Sequence, residues 1–364
     1  MRLDIDGRNC ELESGRSILD AAKKEGLDSI MLSDRPLAAQ IGGEVFNLRF
    51  TPKKDTQIHL LRYGEDMGRR VYERTLQFLF ILAMRKEFPR ARVCVRYSLG
   101  PGLFITVDGM EEPFNEEAAL KVETEMRRLV RLKLPLERRR ISIKEALSFY
   151  EQDGQADKAK LLKWRRFSYF DVYQIDGYMD YFYGEMAPDT SYADVFRVKY
   201  VHDGAVVLLM PRNDAPDVPS DYVDLPKLHA VFHQSDEWGK LMECATVNDL
   251  NTHIQNGTIR ELVRINEALH DRGYADIADK IVQKGAKAVL VAGPSSSGKT
   301  TSAHRISTQL RLQGCHPVML SLDDYYIDRD KIERDENGEI DLENINTLDI
   351  QRFGSDLAAL IRGE

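Results

Sequence analysis

The spacing of apolar and polar side chains over residues 1–62 predicts a small domain of short strands and one helix. Residues 1–6 alternate between the two classes and end at Gly7, which is typical of a strand followed by a turn. Residues 17–24 carry apolar side chains at helical spacing and predict a short amphipathic helix. Further short strands are expected at 10–12, 37–41, 44–48 and 57–61. Two strands, a helix and further strands in this order predict a β-grasp arrangement.

Residues 63–212 predict a second, α+β unit in which helices alternate with hairpins. A helix over residues 71–86 has a broad apolar side, and Asn115 caps a second helix. Ser142 and Glu145 have capping-box spacing and open another helix. Strands are expected at 92–97, 103–107, 169–175, 178–183, 196–200 and 206–210.

Residues 213–284 are expected to form a helical connector that packs against the last part of the chain. The segment opens with a loop rich in Pro and Asp, a plausible domain boundary. Helices are expected at 227–244, with an interruption near Ser235, and at 259–272 and 274–284. Residues 285–364 then form the third region.

The third region begins with an apolar run at 288–292 that predicts a buried strand. The pattern G-x-x-x-x-G-K-T follows it, and a helical pattern follows the motif. Glycines let successive backbone N–H groups point at one anion, and the helix adds its positive N-terminal end. Lys299 would reach the terminal phosphates of a nucleotide, and the Thr300 hydroxyl would hold Mg²⁺. The expected phosphate-binding residues are Gly293, Pro294, Ser295, Ser296, Ser297, Gly298, Lys299, Thr300 and Thr301.

A second apolar run, at 317–321, predicts another buried strand, and Asp323 follows its end. Open parallel sheets bind ligands at the carboxyl ends of their strands, so this carboxylate is expected beside the phosphate loop. There it can accept the proton of an attacking hydroxyl group. It could instead coordinate Mg²⁺, or belong to a simple turn with Asp324. We favour the role of general base.

Composition narrows the function classes. The chain of 364 residues is too long for one typical domain, and its 43% hydrophobic and 30% charged residues are ordinary for a globular protein. The net charge of −8 gives no general attraction to nucleic acid or anionic membranes. The longest apolar run, 78–84, is too short to span a bilayer, and the polar N-terminus lacks the apolar core of a signal peptide. A cytoplasmic protein is therefore expected.

Cysteines and histidines give little indication of a metal site. The four cysteines, Cys10, Cys94, Cys244 and Cys315, are scattered and form no C-x-x-C pair. His229 and His233 have helical spacing, but the residues between them are apolar and no Glu stands there as in H-E-x-x-H. No metal site is expected at this pair.

One part of the second unit is basic. Its Arg and Lys residues lie at 127–133, 138–140 and 158–166. They could bind RNA phosphates, with Trp164 stacked on a base. They could instead form a solvated surface on which Glu123, Glu125 and Glu137 pair with them, and we favour this second interpretation.

The first two units together resemble part of a threonyl-tRNA synthetase. The element order of residues 1–62, with the stretch Leu-Ala-Ala-Gln-Ile-Gly-Gly-Glu-Val-Phe-Asn-Leu, resembles the TGS domain. Residues 63–212 resemble the second additional domain of those enzymes, which carries His and Cys clusters for hydrolytic editing. The resemblance places the cluster positions at Arg74, Phe78, Phe182 and Met186. Without imidazoles or a thiolate, no metal or base is present to activate water, so no editing activity is expected.

The third region resembles the uridine kinase and phosphoribulokinase superfamily, through Gly-Pro-Ser-Ser-Ser-Gly-Lys-Thr-Thr and then Ser-Leu-Asp-Asp-Tyr-Tyr. The resemblance implies that Asp323 is the base toward a sugar hydroxyl and that Tyr326 helps to hold a nucleoside. Glu343 takes the place of a ribose-binding Asp, which leaves the identity of the sugar open.

The three regions in this order resemble a bacterial fused nucleoside kinase family. Members of the kinase superfamily continue well beyond the position of Glu364 and include a lid with an Arg that neutralises phosphoryl charge. We therefore expect a C-terminally truncated form with little or no activity of its own, in which a partial P-loop α/β domain follows the two α+β units.

The leading hypothesis is an ATP- and Mg²⁺-dependent phosphotransferase that phosphorylates a nucleoside hydroxyl, with Lys299 and Asp323 as catalytic residues. In an alternative, the front half binds RNA or a small regulator and the loop is a nucleotide switch without turnover. A third hypothesis keeps the kinase but changes the acceptor to another small-molecule alcohol. A nucleoside or similar small molecule is the expected partner, RNA is not favoured, no membrane is expected, and a homo-oligomer is compatible with the sequence.

Overall fold

The computed structural model describes residues 2–202, 204–328, 332, 341 and 344–363. The described residues form an α+β fold with ten α-helices and twelve strands. The chain divides into two compact units, Met1–Gly239 and Lys240–Glu364.

The N-terminal part of the first unit is a five-stranded sheet with one helix. Its elements are β1 (Arg2–Ile5), β2 (Arg8–Glu11), α1 (Ile18–Lys24), β3 (Ala38–Ile41), β4 (Glu44–Phe46) and β5 (Thr56–Leu61). The strand order is β2-β1-β5-β3-β4, with β1 and β5 parallel and the other neighbours antiparallel. Helix α1 begins after Ser17 because Ser17 and Asp20 form a complete capping box. The predicted order of strands and helix is confirmed.

The rest of the first unit adds two antiparallel sheets and four helices. The helices are α2 (Asp66–Glu87), α3 (Glu116–Leu132), α4 (Ile143–Gln152) and α5 (Ala156–Leu162). The strands are β6 (Arg92–Leu99), β7 (Gly102–Asp108), β8 (Glu137–Ser142), β9 (Tyr169–Ile175), β10 (Tyr178–Asp180), β11 (Arg197–Tyr200) and β12 (Ala205–Leu209). They form one sheet in the order β11-β12-β7-β6 and another in the order β10-β9-β8. As predicted, Asn115 caps α3 and Ser142 caps α4 through backbone N–H groups of the first helical turn.

Strand β8 was not predicted, because its three consecutive arginines hide any alternation of polar and apolar positions. The structure explains why these residues pair with β9 all the same. Asp171 on β9 accepts hydrogen bonds from both Arg138 and Arg140, and Gln174 accepts one from Arg139. The cross-strand partners therefore compensate the charge of the strand.

One continuous hydrophobic core joins the β-grasp part to the α+β part of the first unit. It contains Leu3 and Ile58 of the first sheet, Phe78 and Phe80 of α2, and Leu208 of β12, all essentially without solvent exposure. Residues 1–62 therefore do not form a core of their own, and their stability depends on residues beyond them.

A buried arginine adds polar links across the same core. The side chain of Arg35 is 9% exposed, and its Nη1 and Nη2 donate to Asp194 Oδ1 and Oδ2 at 2.8 and 3.0 Å. The same guanidinium also donates to the backbone oxygens of Ile30, Ser191 and Tyr192. This bidentate pair ties the loop before β3 to the segment before β11.

The remainder of the described chain is helical. Its helices are α6 (Pro226–Leu241), α7 (Val247–Gln255), α8 (Ile259–Gln283), α9 (Lys299–Leu312) and α10 (Ile350–Arg362). The prediction of a helical segment after residue 225 is confirmed, but α6 is not interrupted near Ser235, and the two expected helices 259–272 and 274–284 are one helix. Helices α8 and α9 run side by side, joined by Arg305–Asp271 and Gln313–Asp279 contacts.

The prediction of buried strands at 288–292 and 317–321 is wrong. Within residues 240–328 and 344–363, β-pairing is limited to an isolated bridge between Tyr326 and Leu348. A strand of a parallel sheet needs paired neighbours and helices over both faces, and neither apolar run has them here. Consequently Leu290 is 87% exposed and Val318 is 64% exposed.

Replacing Arg35 tests the importance of its buried ion pair. We expect Arg35→Met to lower the free energy of unfolding of the first unit by about 2–4 kcal/mol, because Asp194 and three backbone oxygens lose their donor. The measurement is urea-dependent hydrogen exchange in strands β7 and β12. Arg16→Met is the control, since Arg16 is exposed and pairs loosely with Glu13, and it should change stability by less than about 0.5 kcal/mol. Equal effects of the two substitutions would contradict the structural role of Arg35.

Candidate functional site

The loop of residues 293–298 leads into α9 through a left-handed glycine. Gly298 is the N-cap with φ of 82°, a conformation that glycine adopts without steric cost, and Ser296 also has positive φ, at 59°. The helix opens with the hydrogen bond from Ser302 N–H to Gly298 O at 2.9 Å. The backbone N–H groups of the preceding first-turn residues have no acceptor within the helix, so they can point at an anion.

Lys299 folds back over this loop. Its Nζ donates to the carbonyl oxygens of Gly293 and Pro294 at 2.7 and 2.9 Å, and the Ser297 N–H donates to Pro294 O at 3.3 Å. A Cβ at Gly293 would lie 2.8 Å from Ser297 Oγ, so the loop is tight at its first glycine. The ammonium group is thus held at the rim of the loop, within reach of any anion that the loop binds.

The chemistry of the loop fits a polyphosphate with Mg²⁺. Hydroxyl groups of Ser295, Ser296, Thr300 and Thr301 lie on exposed residues, so a ligand can reach them. Thr300 is in the first turn of α9, next to Lys299. A hydroxyl at that place can serve as a ligand for a hard cation, which prefers oxygen donors.

Asp323 lies in a short 3₁₀ turn, Leu322–Tyr325, whose N-cap is Ser321. The Ser321 Oγ accepts a hydrogen bond from the Asp323 N–H at 3.3 Å, and the Asp323 residue is exposed. The turn replaces the end of the expected strand, so Asp323 is presented by local capping and not by a sheet edge.

The two tyrosines after Asp323 have different surroundings. Tyr325 is buried, with its hydroxyl donating to Asp356 Oδ2 at 2.9 Å and its ring 5.2 Å from the ring of Phe353. This bond raises the pKa of Tyr325. Tyr326 is 43% exposed and forms a β-bridge with Leu348. The Tyr325 anchor on α10 thus positions Tyr326, which the sequence predicts as a substrate contact.

The described residues do not join all parts of the predicted site. No ion pair between Asp323 and Lys299 is present in the described part of the chain. Glu343, the other predicted substrate contact, lies outside the described residues. The loop and the Asp323 turn are therefore two separately formed local structures.

In the first unit, the four positions that correspond to the editing clusters come together. The ring centroids of Phe78 and Phe182 are 5.3 Å apart, and Met186 is fully buried in the same core. Arg74 is half-buried, and its Nε donates to the backbone oxygen of Glu185 at 2.9 Å. Burial lowers the pKa of the Arg74 guanidinium. Three of the four positions are apolar packing residues, which agrees with the expected lack of editing chemistry.

Most arginines of the basic stretch have acidic partners. Arg127 pairs with Glu123 at 2.7 Å and Arg128 with Glu125 at 2.6 Å, as the solvated-surface interpretation expects. Arg138 and Arg140 both pair with Asp171, which is the partner that the sequence did not indicate. Because strand pairing brings Asp171 to β8, this partner could not be found without the sheet.

Sequence patterns also missed an open cleft of about 430 Å³ in the first unit. Its polar lining includes Tyr63, Arg69, Glu73, Ser98, Arg212 and Asp214. Burial raises the pKa of Glu73, which accepts a hydrogen bond from Gln77. The lining comes from three distant segments, each without a motif, so no local signal marks it.

Two wider searches of the described residues give negative findings. None of the helices combines the length and the apolar character that crossing a lipid bilayer requires. No group of three or more His, Cys, Asp or Glu side chains in that part of the chain is arranged to hold a metal ion.

Comparison with known proteins supports the resemblance of the front half to threonyl-tRNA synthetases. The threonine–tRNA ligase of Clostridium kluyveri is 25% identical over 194 residues, which cover 53% of this chain and 30% of the ligase. The ligase of Carboxydothermus hydrogenoformans is 27% identical over 175 residues, 46% of this chain and 26% of the ligase. That of Desulforamulus reducens is 26% identical over 157 residues, 43% and 24% respectively.

The chain thus spans less than a third of the length of these curated relatives. No protein-family model matches it. These matches bear on the threonyl-tRNA synthetase-like part, and they do not bear on the resemblance to kinases.

The anchor of the Asp323 turn can be tested by removing one hydroxyl group. We expect Tyr325→Phe to increase hydrogen exchange at residues 347–349 several-fold, because the turn loses its bond to Asp356 while the aromatic packing remains. Ser355→Ala is the control, since its hydroxyl bonds only to Gln351 O within α10. If both variants exchange like the unmodified chain, the bond to Asp356 does not hold the turn.

Proposed function

We propose that the chain carries the nucleotide-binding part of an ATP-dependent kinase that phosphorylates a nucleoside hydroxyl. The observation that supports this most is the loop of residues 293–298, with left-handed Gly298, the free first turn of α9, and Lys299 at its rim. The Asp323 turn, presented by Ser321 and anchored through Tyr325, adds a carboxylate to the proposal.

In this proposal, backbone N–H groups of residues 293–301 and the Lys299 ammonium group hold the β- and γ-phosphates. Lys299 must exchange the carbonyls of Gly293 and Pro294 for phosphate oxygens, which costs little because all three are at the surface. Mg²⁺, held with the help of Thr300, would supply neutralisation of phosphate charge when bound.

The transfer step moves a phosphoryl group from ATP to an alcohol. The acceptor oxygen forms a bond to the γ-phosphorus while the bond from that phosphorus to the β–γ bridging oxygen breaks, which releases ADP. Asp323 takes the proton of the hydroxyl group, and its exposed carboxylate is suited to this role only once substrate and nucleotide lie between it and the loop.

The acceptor is proposed to be a nucleoside, with Tyr326 against its base or sugar and Glu343 at its sugar hydroxyls. Tyr326 is exposed enough to contact a ligand, and its backbone is fixed by the bridge to Leu348. Another small alcohol is the runner-up acceptor. No basic residue beyond Lys299 is fixed at this site by the described contacts, so an acceptor that carries its own phosphate is less favoured.

A second candidate is a nucleotide-responsive regulator without turnover. One observation favours it: Asp323 and the loop are held by separate local contacts, so the loop can bind a nucleotide without the base. The relatives are threonine–tRNA ligases, which suggests RNA as the ligand of the front half in this alternative. The paired arginines of β8 and α3 weigh against a strong RNA surface there.

Nucleotide binding is tested at Lys299. We expect Lys299→Ala to weaken the binding of Mg·ATP at least about tenfold, because the loop loses its only ammonium contact to the terminal phosphates. Isothermal titration calorimetry provides the dissociation constants. Lys287→Ala is the matched control, an exposed lysine just before the loop that should bind Mg·ATP like the unmodified chain. Unchanged affinity in Lys299→Ala would remove the basis of both candidate functions.

Catalysis is tested at Asp323 by single-turnover transfer of radiolabelled phosphate from ATP to a panel of nucleosides, at enzyme excess because slow transfer is expected. We expect Asp323→Asn to lower the transfer rate at least about a hundredfold while Mg·ATP affinity stays within about twofold. Asp324→Asn serves as the neighbouring control and should retain most of the rate. Normal transfer in Asp323→Asn would contradict its role as base, and ATP binding without transfer by the unmodified chain would favour the regulator.

A further inference from the structure

Helix α6 is attached to the first unit by a small number of aromatic contacts. The helix lies on the outer face of the β11-β12-β7-β6 sheet, where a second, smaller hydrophobic cluster contains Leu99, Phe104, Val207 and Leu209. No residue of α6 is itself buried, and Val231 is 61% exposed. The helix therefore gains little from burial, and its position depends on specific contacts.

Those contacts centre on Tyr97 of β6. Its ring stacks on Phe104 at 5.0 Å and on Phe232 of α6 at 4.2 Å, so it is sandwiched between sheet and helix. Its hydroxyl is hydrogen-bonded to His229 Nδ1 of α6 at 2.8 Å. His229 also lies 4.7 Å from the ring of Phe104. One turn of α6 thus supplies both the stacking and the polar contact.

Two more imidazoles surround His229. The ring of His202, in the connection between β11 and β12, is 4.8 Å from that of His229, and the ring of His233 is 6.3 Å from it. Charges close to this group are few. Asp224, just before α6, acts on His229, while Asp236 of α6 and Arg96 of β6 act on Tyr97.

We propose that His202, His229 and His233 form a pH-sensitive latch, which holds α6 on the sheet when the imidazoles are neutral and releases it when they are protonated. Protonation would place two or three positive charges within 4.8–6.3 Å of one another, at a position between an aromatic stack and a helix. Asp224 alone cannot compensate that charge. Repulsion and the loss of hydration then both favour the undocked helix.

The direction of the pH dependence follows from the docked state. Burial, and then the neighbouring His202 and His233, lower the pKa of His229 below its usual value of 6.5, and Asp224 opposes this shift. A lowered pKa means that docking is at full strength above the pKa of the free imidazole and weakens as the pH falls through the docked-state pKa. Each pKa unit of this shift changes the docking equilibrium by about tenfold.

The latch is tested by hydrogen–deuterium exchange of the whole chain at about pH 7.5 and about pH 5.5, with a chelator present and intrinsic rates corrected for pH. We expect the protection of residues 226–238 to fall at least about threefold at the lower pH, while β7 and β12 keep theirs. Unchanged protection of α6 between the two values would overturn the proposal.

Substitutions assign the effect to His229. In His229→Gln, a side chain that can still bond Tyr97 but cannot be protonated, the ratio of α6 protection between the two pH values should approach one, whatever the absolute protection. His316→Gln is the control, an exposed histidine outside the cluster, and should behave like the unmodified chain. A His229→Gln variant with the original pH ratio would refute the latch.

A second measurement does not depend on that variant. NMR titration should give a His229 pKa below 6.5 in the unmodified chain. Replacing both neighbours, in the double variant of His202→Gln and His233→Gln, should raise this pKa and move the release of α6 to higher pH. An unshifted pKa in the double variant would show that the three imidazoles do not act together.

Discussion

The first unit depends on the burial of helix α2. Tyr72, Phe78, Phe80 and Met84 of this helix are essentially unexposed, and the core that they occupy also contains side chains from both the N-terminal sheet and the β11-β12-β7-β6 sheet. Truncation of one such aromatic residue typically costs about 3–5 kcal/mol, which is a large part of the stability of a domain. The two sheets therefore cannot be treated as independent folding units. The buried tyrosines strengthen this link, because Tyr63 and Tyr72 donate their hydroxyls to the backbone of Pro211 and Val195.

The second unit is organised by local contacts. Its loop, 3₁₀ turn and helices are each defined by hydrogen bonds within a few residues, such as the Ser321 cap and the Lys299 contacts. Phosphate-binding loops require this local definition, since the anion is bound by the backbone of a few successive residues. A base and a substrate contact require more, because they must be held at fixed distances from that anion.

The sequence predicted most elements of the first unit because they are patterned locally. Ser17, Asn115 and Ser142 mark the starts of three helices, and the side-chain bonds of all three caps are present. It failed at β8, whose arginines gain their partners only through pairing with β9. It also failed at 288–292, where apolar composition was taken as evidence of a buried strand. Composition reports what a segment can bury, whereas strand formation requires neighbours. For the same reason the motif predicted the loop around Gly298, but no pattern could give the distance from Lys299 to Asp323.

The apolar packing of Phe78, Phe182 and Met186 has a consequence for the history of the fold. These side chains fill the positions at which, by resemblance, a hydrolytic site would need imidazoles and a thiolate. Restoring any one polar group alone would place it in a dry interior without its partners, at a cost of about 1–3 kcal/mol. Each single step back would therefore be opposed by stability before any chemistry returned. Once such a site has been converted to core, it is retained as core, and descendants can vary elsewhere without regaining it.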